Sequence, residues 1–253
     1  MRTRSRAPRA GGRVAGLHRF SALLHSPGPI GRFFRGWVFP IALAAGVSFP
    51  LRSALADWYQ VPSGSMRPTI LEGDRILVSN LAFGLRIPFT TVWIARWAAP
   101  KPGQIVTLAS PADGTRLVKR IIGRPGDHIC MVEDRLWING APITYQALDG
   151  EETQRLSRGE AAVSSHALER LPGCPHVVDL TPSLPALRSF PEFIVPAGCY
   201  FVMGDNRDNS FDSRYFGLVR EARITGRASY VALSFDPERH YLPRFNRWMK
   251  RLI

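Results

Sequence analysis

The chain has 253 residues, enough for one large domain or two small ones, and 45% of them are hydrophobic, which supports a buried core. Its formal charge of +13 suggests nucleic acid as a partner, but the charge is unevenly spread. Residues 1–36 hold eight arginines and no acid, and Arg52 brings the first 56 residues to +9, leaving 24 basic against 20 acidic residues in the remainder. The excess is mostly a tail, so no nucleic-acid partner is expected.

In chain order, residues 1–36 mix arginine with glycine, proline and serine and read as a largely disordered tail. From Trp37 to Leu51 the run WVFPIALAAGVSFPL carries no charge, and after Arg52 it continues to Ala56. As a helix, residues 37–56 would rise about 30 Å, the thickness of a bilayer core. Arg52 sits near one end, where its side chain can reach the headgroups. Pro40 and Pro50 weaken the helix, although membrane helices tolerate proline. The rival readings are a buried core helix and a cleaved leader, for which ALA at 54–56 is a candidate cleavage site. The favoured reading is an uncleaved transmembrane anchor with the arginine-rich end in the cytoplasm and residues 57–253 outside.

The rest reads mostly as strand. DRILVSN (74–80), GQIVTLAS (103–110), TRLVKRIIG (115–123), HICMVEDRLWINGAPI (128–143), GCYFVMGDN (198–206) and ASYVALSF (228–235) are short, rich in β-branched and aromatic residues, and bounded by glycine or proline. Asn139-Gly140 marks a hairpin turn. Residues 149–192 are polar and proline-containing and read as a loop-rich insert. The fold expected is mainly β, an antiparallel sheet domain on one N-terminal transmembrane helix. The end YLPRFNRWMKRLI is amphipathic and basic, and reads either as a membrane-surface segment or as a solvated tail. No CxxC or Cys/His spacing suggests a metal site; Cys174 and Cys199 are open to a disulfide, or all three cysteines are ordinary buried thiols. No phosphate-binding glycine loop is found, and no cofactor is expected.

The chemistry starts at PSGSM (62–66). A glycine between two serines allows a tight turn with uncovered amides, which suits an exposed nucleophile. A serine hydroxyl needs a base. None of the six histidines has a recognisable triad setting, so a lysine is the alternative. The chain has only Lys101, Lys119 and Lys250 among its 33 basic residues. Lysine can lose its proton where arginine cannot, provided burial lowers its pKa by roughly three units. Lys119 has the setting: Val118, Ile121 and Ile122 surround it, and alternation puts it on one face with Leu117 and Ile121. The bland alternative is an edge-strand lysine that discourages aggregation. The third polar stretch, GDNRDNSFDSRYFG (204–217), is either a surface Asx-turn loop or a network that pins a site.

Taken together, VPSGSMRPTILEGDRILV, RLVKRIIGRPGD and GDNRDNSFDSRYFGLV resemble, in order and directly after an apolar span, the characteristic boxes of bacterial type I signal peptidases, which are membrane-anchored Ser/Lys endopeptidases. The match covers roughly 58–80, 103–127 and 198–235, leaving out the tail and the 149–192 insert. The resemblance implies that Ser65 is the nucleophile and that Lys119 is the base that takes its proton and returns it to the leaving amine. It implies that the Ser63 hydroxyl and the Ser65 N–H form the oxyanion hole, and that Ser210 orients the lysine. Asp205, Arg207, Asp212 and Arg214 match structural polar residues, with Arg120 expected to pair with Asp212. Pro62, Met66, Ile70, Leu117 and Val118 would line pockets for small residues at −1 and −3. The implied partners are signal peptides of exported preproteins and the lipid bilayer, and a monomer is expected at the bacterial plasma membrane. One departure is Pro102-Gly103-Gln104, where the family commonly reads arginine-glycine-aspartate. Two rivals stay open: a specialised Ser/Lys processing peptidase of the same fold, and a membrane-anchored binding module without catalysis.

Overall fold

The computed structural model describes residues 32–44, 56–86, 92–149, 153 and 164–252, in two units, 1–51 and 52–253. In the first unit, residues 32–44 are helical. The turn Phe34–Val38 is widened to π geometry, with the Phe39 N–H donating to the Phe34 carbonyl. The widening precedes Pro40, which has no N–H to give and whose ring crowds the turn before it. This helix carries exposed Phe33, Phe34, Trp37, Phe39, Ile41 and Leu43. Residues 45–55 of the expected span lie outside the described residues, and no described helix is long and apolar enough to cross a membrane. Ala56 opens a strand instead of closing the span.

The second unit is built on a nine-stranded antiparallel sheet. Its order is Ala56–Gln60, Asp74–Ser79, Ile224–Asp236, Ile105–Ala109, Arg116–Gly123, Cys199–Met203 and Val219–Arg220, with the short strands Leu242–Pro243 and Lys250–Arg251 added to the long Ile224–Asp236 strand. The strand Ile105–Ala109 is buried along almost its whole length, which its unbroken apolar run requires. In Arg116–Gly123, alternation sends Val118 to a core with Met66, Ile70 and Ile105, and Ile121 to a core with Val106, Leu108 and Val202. Ile122 enters a third core with Ile129, Met131 and Phe201. One strand therefore braces all three cores, and Lys119 lies at its centre.

The 128–143 run is two strands and a stub. His128–Val132 turns back at Glu133 and Asp134, both at positive φ, into Arg135–Ile138, and the expected Asn139-Gly140 turn then pairs Ile138 with Ala141. The largest difference from expectation is in the polar insert. It contains the hairpin Ser165–Leu171 and Cys174–Leu180, which joins Tyr145–Ala147 in a three-stranded sheet. Its buried positions include His166, Glu169, His176 and Asp179, and His166 pairs across with Asp179 and Glu169 with His176. A strand whose inward face is polar shows no apolar alternation, which is why it read as loop. The short pair Gly84–Arg86 and Trp93–Arg96 is also new.

All three cysteines are free thiols. Cys174 packs on Gly103, whose φ is +85° and where a Cβ would come within 2.2 Å of the Cys174 Cβ. Replacing Gly103 with alanine combines strain at positive φ with that clash. Gly103→Ala is expected to lose more than about 1 kcal/mol of stability. A lower urea midpoint at unchanged slope checks this, and an unaltered midpoint refutes the close approach.

Candidate active site

Ser65 sits in the turn that joins the strands Ala56–Gln60 and Asp74–Ser79. The turn closes through Val61 N–H to the Asp74 carbonyl (3.0 Å) and Ile70 N–H to the Met66 carbonyl (2.9 Å), with Met66 and Ile70 sunk into the core. Gly64 is needed where it stands: a Cβ there would lie 2.4 Å from Glu72 Oε1, which belongs to the ion pair of Glu72 with Arg67. Asn206 grips the turn from the other side. Its N–H donates to the Ser65 carbonyl at 3.2 Å and its Nδ2 to the Gly64 carbonyl at 3.1 Å.

Lys119 Nζ donates to Ser65 Oγ at 2.7 Å and to Ser210 Oγ at 3.0 Å, and the Ser63 and Ser65 hydroxyls are 3.5 Å apart. The strand holding Lys119 is not an edge: it lies between Ile105–Ala109 and Cys199–Met203, and Lys119 is 2% exposed. Burial drives its pKa down to about 8 from an ordinary 10.5; Arg214 helps, while Asp212 and Asp205 partly oppose the fall. A neutral amine touching a hydroxyl is a proton acceptor, so the arrangement is competent to activate a serine.

The polar stretch 204–217 wraps this pair. Arg120 is fully buried and grips Asp205 with two hydrogen bonds, Nε to Oδ1 at 2.8 Å and Nη2 to Oδ2 at 2.7 Å, while its Nη1 donates to the Gly103 carbonyl at 2.7 Å. The expected pairing of Arg120 with Asp212 is therefore corrected. Asp212 instead caps the short helix Ser213–Phe216, accepts from Arg214 Nε and Nη2 at 2.9 Å each, and takes the Gly204 N–H at 3.0 Å. A carboxylate that caps its own helix is satisfied locally, which leaves Arg120 to Asp205. Burial raises the pKa of Asp205 and Asp212, but Arg120 and Arg214 outweigh it and hold both below the ordinary range. Arg207 pairs with Glu169 of the unforeseen hairpin.

Beside the two serines lies a cleft of about 60 Å³ lined by Tyr59, Val61, Pro62, Ser63, Ser65, Met66, Arg116, Leu117 and Val118. Four of the five pocket residues expected are there. Ile70 is not: it is fully buried in the core beneath Met66. Tyr59 and Arg116 were missed, although Tyr59 alternates with Val61 and Arg116 precedes Leu117 and Val118. Asn206 was missed because its contacts run to the backbone of a segment far away in sequence.

A family model described as signal peptidase, peptidase S26, matches residues 34–233. The chain belongs to the signal peptidase family. It is 36% identical over 212 residues to signal peptidase I of Pseudomonas fluorescens, covering 78% of this chain and 72% of that protein. Signal peptidase I of Pseudomonas aeruginosa is also 36% identical, over 210 residues, with the same coverage of both chains. Signal peptidase I T of Bacillus subtilis is 31% identical over 206 residues, covering 80% and 87%. As a signal peptidase the chain is an endopeptidase that removes signal peptides.

The lysine's environment makes a thermodynamic prediction. Its folded pKa lies below its unfolded one, so between pH 8 and 10.5 the unfolded chain binds more protons at this site. Stability therefore rises with pH across that window, by about 3 kcal/mol in order of magnitude, and is penalised below it. In Lys119→Met that increment should vanish; denaturant titrations at pH 7 and 10 check it, and an identical rise in both proteins refutes it.

Proposed function

We propose that this signal peptidase cleaves preproteins with Ser65 as the nucleophile and Lys119 as its base. The observation that carries the reading is the 2.7 Å contact between Lys119 Nζ and Ser65 Oγ, made by an amine that burial has brought to a pKa of about 8. The neutral amine takes the Ser65 proton as Oγ attacks the carbonyl carbon. The oxyanion that forms is held by the Ser65 N–H and the Ser63 hydroxyl. The ammonium of Lys119 then gives its proton to the departing amine, leaving an acyl-enzyme on Ser65. Water, activated by the same amine, releases the signal peptide and restores the site. Ser210 keeps the amine pointed at Ser65 through its 3.0 Å contact.

The cleft beside Ser65 is small and walled by the apolar side chains of Met66, Leu117 and Val118, which favours small apolar side chains such as those of Ala-X-Ala-like sites. The uncharged run 37–51, its arginine-rich flank and the exposed apolar side chains on helix 32–44 support a single-pass anchor. The N-terminus would be cytoplasmic and residues 57–253 would lie on the outer face of the bacterial plasma membrane, as a monomer resting against lipid. A specialised processing peptidase would use the same site on fewer substrates. A binding module would have no use for a buried lysine held against a serine.

Ser65→Ala and Lys119→Met are each expected to abolish cleavage of a preprotein in detergent while circular dichroism stays native. In the intact enzyme kcat/KM should climb as pH rises through about 8. A profile that stays flat from pH 5 to 9, or cleavage by either variant, would sink the dyad. Ser63→Ala should lower kcat by about 10²–10³, the usual loss for one oxyanion donor, with KM little changed. A loss confined to KM would place Ser63 in substrate binding instead.

A further inference from the structure

The hairpin Ser165–Leu171 and Cys174–Leu180 lies outside all three box segments, yet it fastens the loop that holds Ser210. The Asp179 N–H donates to the Asp205 carbonyl at 2.8 Å and the Thr181 N–H to Asp208 Oδ2 at 2.7 Å. The third tie is a charged one. Glu169, fully buried, takes both terminal nitrogens of Arg207, at 2.6 and 2.9 Å, and accepts a hydrogen bond from the Tyr145 hydroxyl at 2.7 Å. His176 stands 3.4 Å from the same carboxylate, but burial, with help from Arg120, keeps its ring neutral, so Arg207 supplies the matching charge.

Arg207 passes the constraint on. Its Nε donates to the Gly204 carbonyl at 3.1 Å. Gly204 is wedged between the two serines of the site: a Cβ there would lie 2.3 Å from Ser210 Oγ and 2.3 Å from the Ser65 carbonyl oxygen. A shift of Gly204 by a few tenths of an ångström is therefore felt at Ser210, which touches the Lys119 amine. A buried ion pair is poor evidence for stability, because apolar residues of similar volume commonly replace one at no cost; its forked geometry fixes direction.

We infer that Glu169 is a positioning residue for the cleavage reaction: through Arg207 and the Gly204 carbonyl, its carboxylate sets where Ser210 stands beside Lys119. The inference rests on the Ser65–Lys119 reading. If the tie is loosened, Ser210 drifts, water reaches the amine, and the amine recovers its charge at higher pH than before.

The test uses the full chain in detergent with a preprotein substrate and the variants Glu169→Gln and Glu169→Met/Arg207→Met. The double variant leaves no buried charge unpaired and so guards against simple unfolding. In whichever variant folds, kcat should drop at least tenfold with KM within twofold, and the rising limb of the kcat/KM profile should move to higher pH. Wild-type kcat in a folded variant overturns the inference. So does a drop in kcat with the limb unmoved, and so does failure of both variants to fold, which would make the pair a requirement of the fold. Ser65→Ala is assayed alongside: if it still cleaves, the dyad reading itself falls, whereas a dead Ser65→Ala with fully active Glu169 variants removes only the positioning role.

Discussion

Everything at this site depends on an amine that has been taken out of water. Moving an ammonium from solvent into a protein interior costs far more than a hydrogen bond returns, so a buried lysine either acquires a counter-charge or gives up its proton. Lys119 has acquired hydroxyls instead of a carboxylate: its two hydrogen-bond partners are Ser65 and Ser210. Hydroxyls accept from the ammonium but do not neutralise it, and burial wins, bringing the group to about 8. The same wall of strands that leaves the amine unprotonated, and so free to accept a proton, at mildly alkaline pH also makes it a liability to stability below that pH.

The acidic residues nearby are arranged so as not to undo this. Asp205 and Asp212 both pull the lysine back toward its charged form. Each, however, is already claimed, Asp205 by a two-pronged contact with Arg120 and Asp212 by Arg214. A carboxylate whose charge is matched by a guanidinium at hydrogen-bond distance has little field left for a third group. Arginine suits the task because it stays charged in the interior and its fork satisfies both carboxylate oxygens at once. The ion pairs around the site therefore hold the loop in place and also shield the lysine from its neighbours.

Much of this was legible in the sequence because it depends on local chemistry. PSGSM announces a turn with exposed hydroxyls, and RLVKRIIG places one lysine in an apolar strand. The strands 74–79, 105–109, 116–123, 199–203 and the long 224–236 strand follow from β-branched runs between turn residues. What failed to show had a common cause. The hairpin 165–180 turns polar residues inward, so its pattern is that of a loop until Arg207 is known to lie across from Glu169. The partner of Arg120 depends on which carboxylate is already occupied by its own helix cap, and that is a three-dimensional fact. Ile70 has the right chemistry for a pocket wall, but the turn at Met66–Ile70 points it down into the core.

At Pro102-Gly103-Gln104 the strand that follows is tied to Arg116–Gly123 by backbone and amide groups instead of charges. An aspartate there would be a further acid close to Arg120. In this chain Gln104 is spent locally, its Oε1 accepting from the Lys101 N–H at 3.1 Å and its carbonyl from the Ile121 N–H at 2.9 Å, while the neighbouring Gly103 N–H donates to the Ile121 carbonyl at 2.8 Å. Arg120 donates to the Asp205 carboxylate, to the Gly103 carbonyl and to Cys174 Sγ. The space beside Gly103 is filled by the Cys174 side chain, which the insert hairpin delivers. A thiol fills that space beside the arginine without adding a carboxylate. The insert thus meets the residues around the site at several points, among them Glu169 through Arg207, Asp179 at the Asp205 carbonyl and Cys174 beside Arg120.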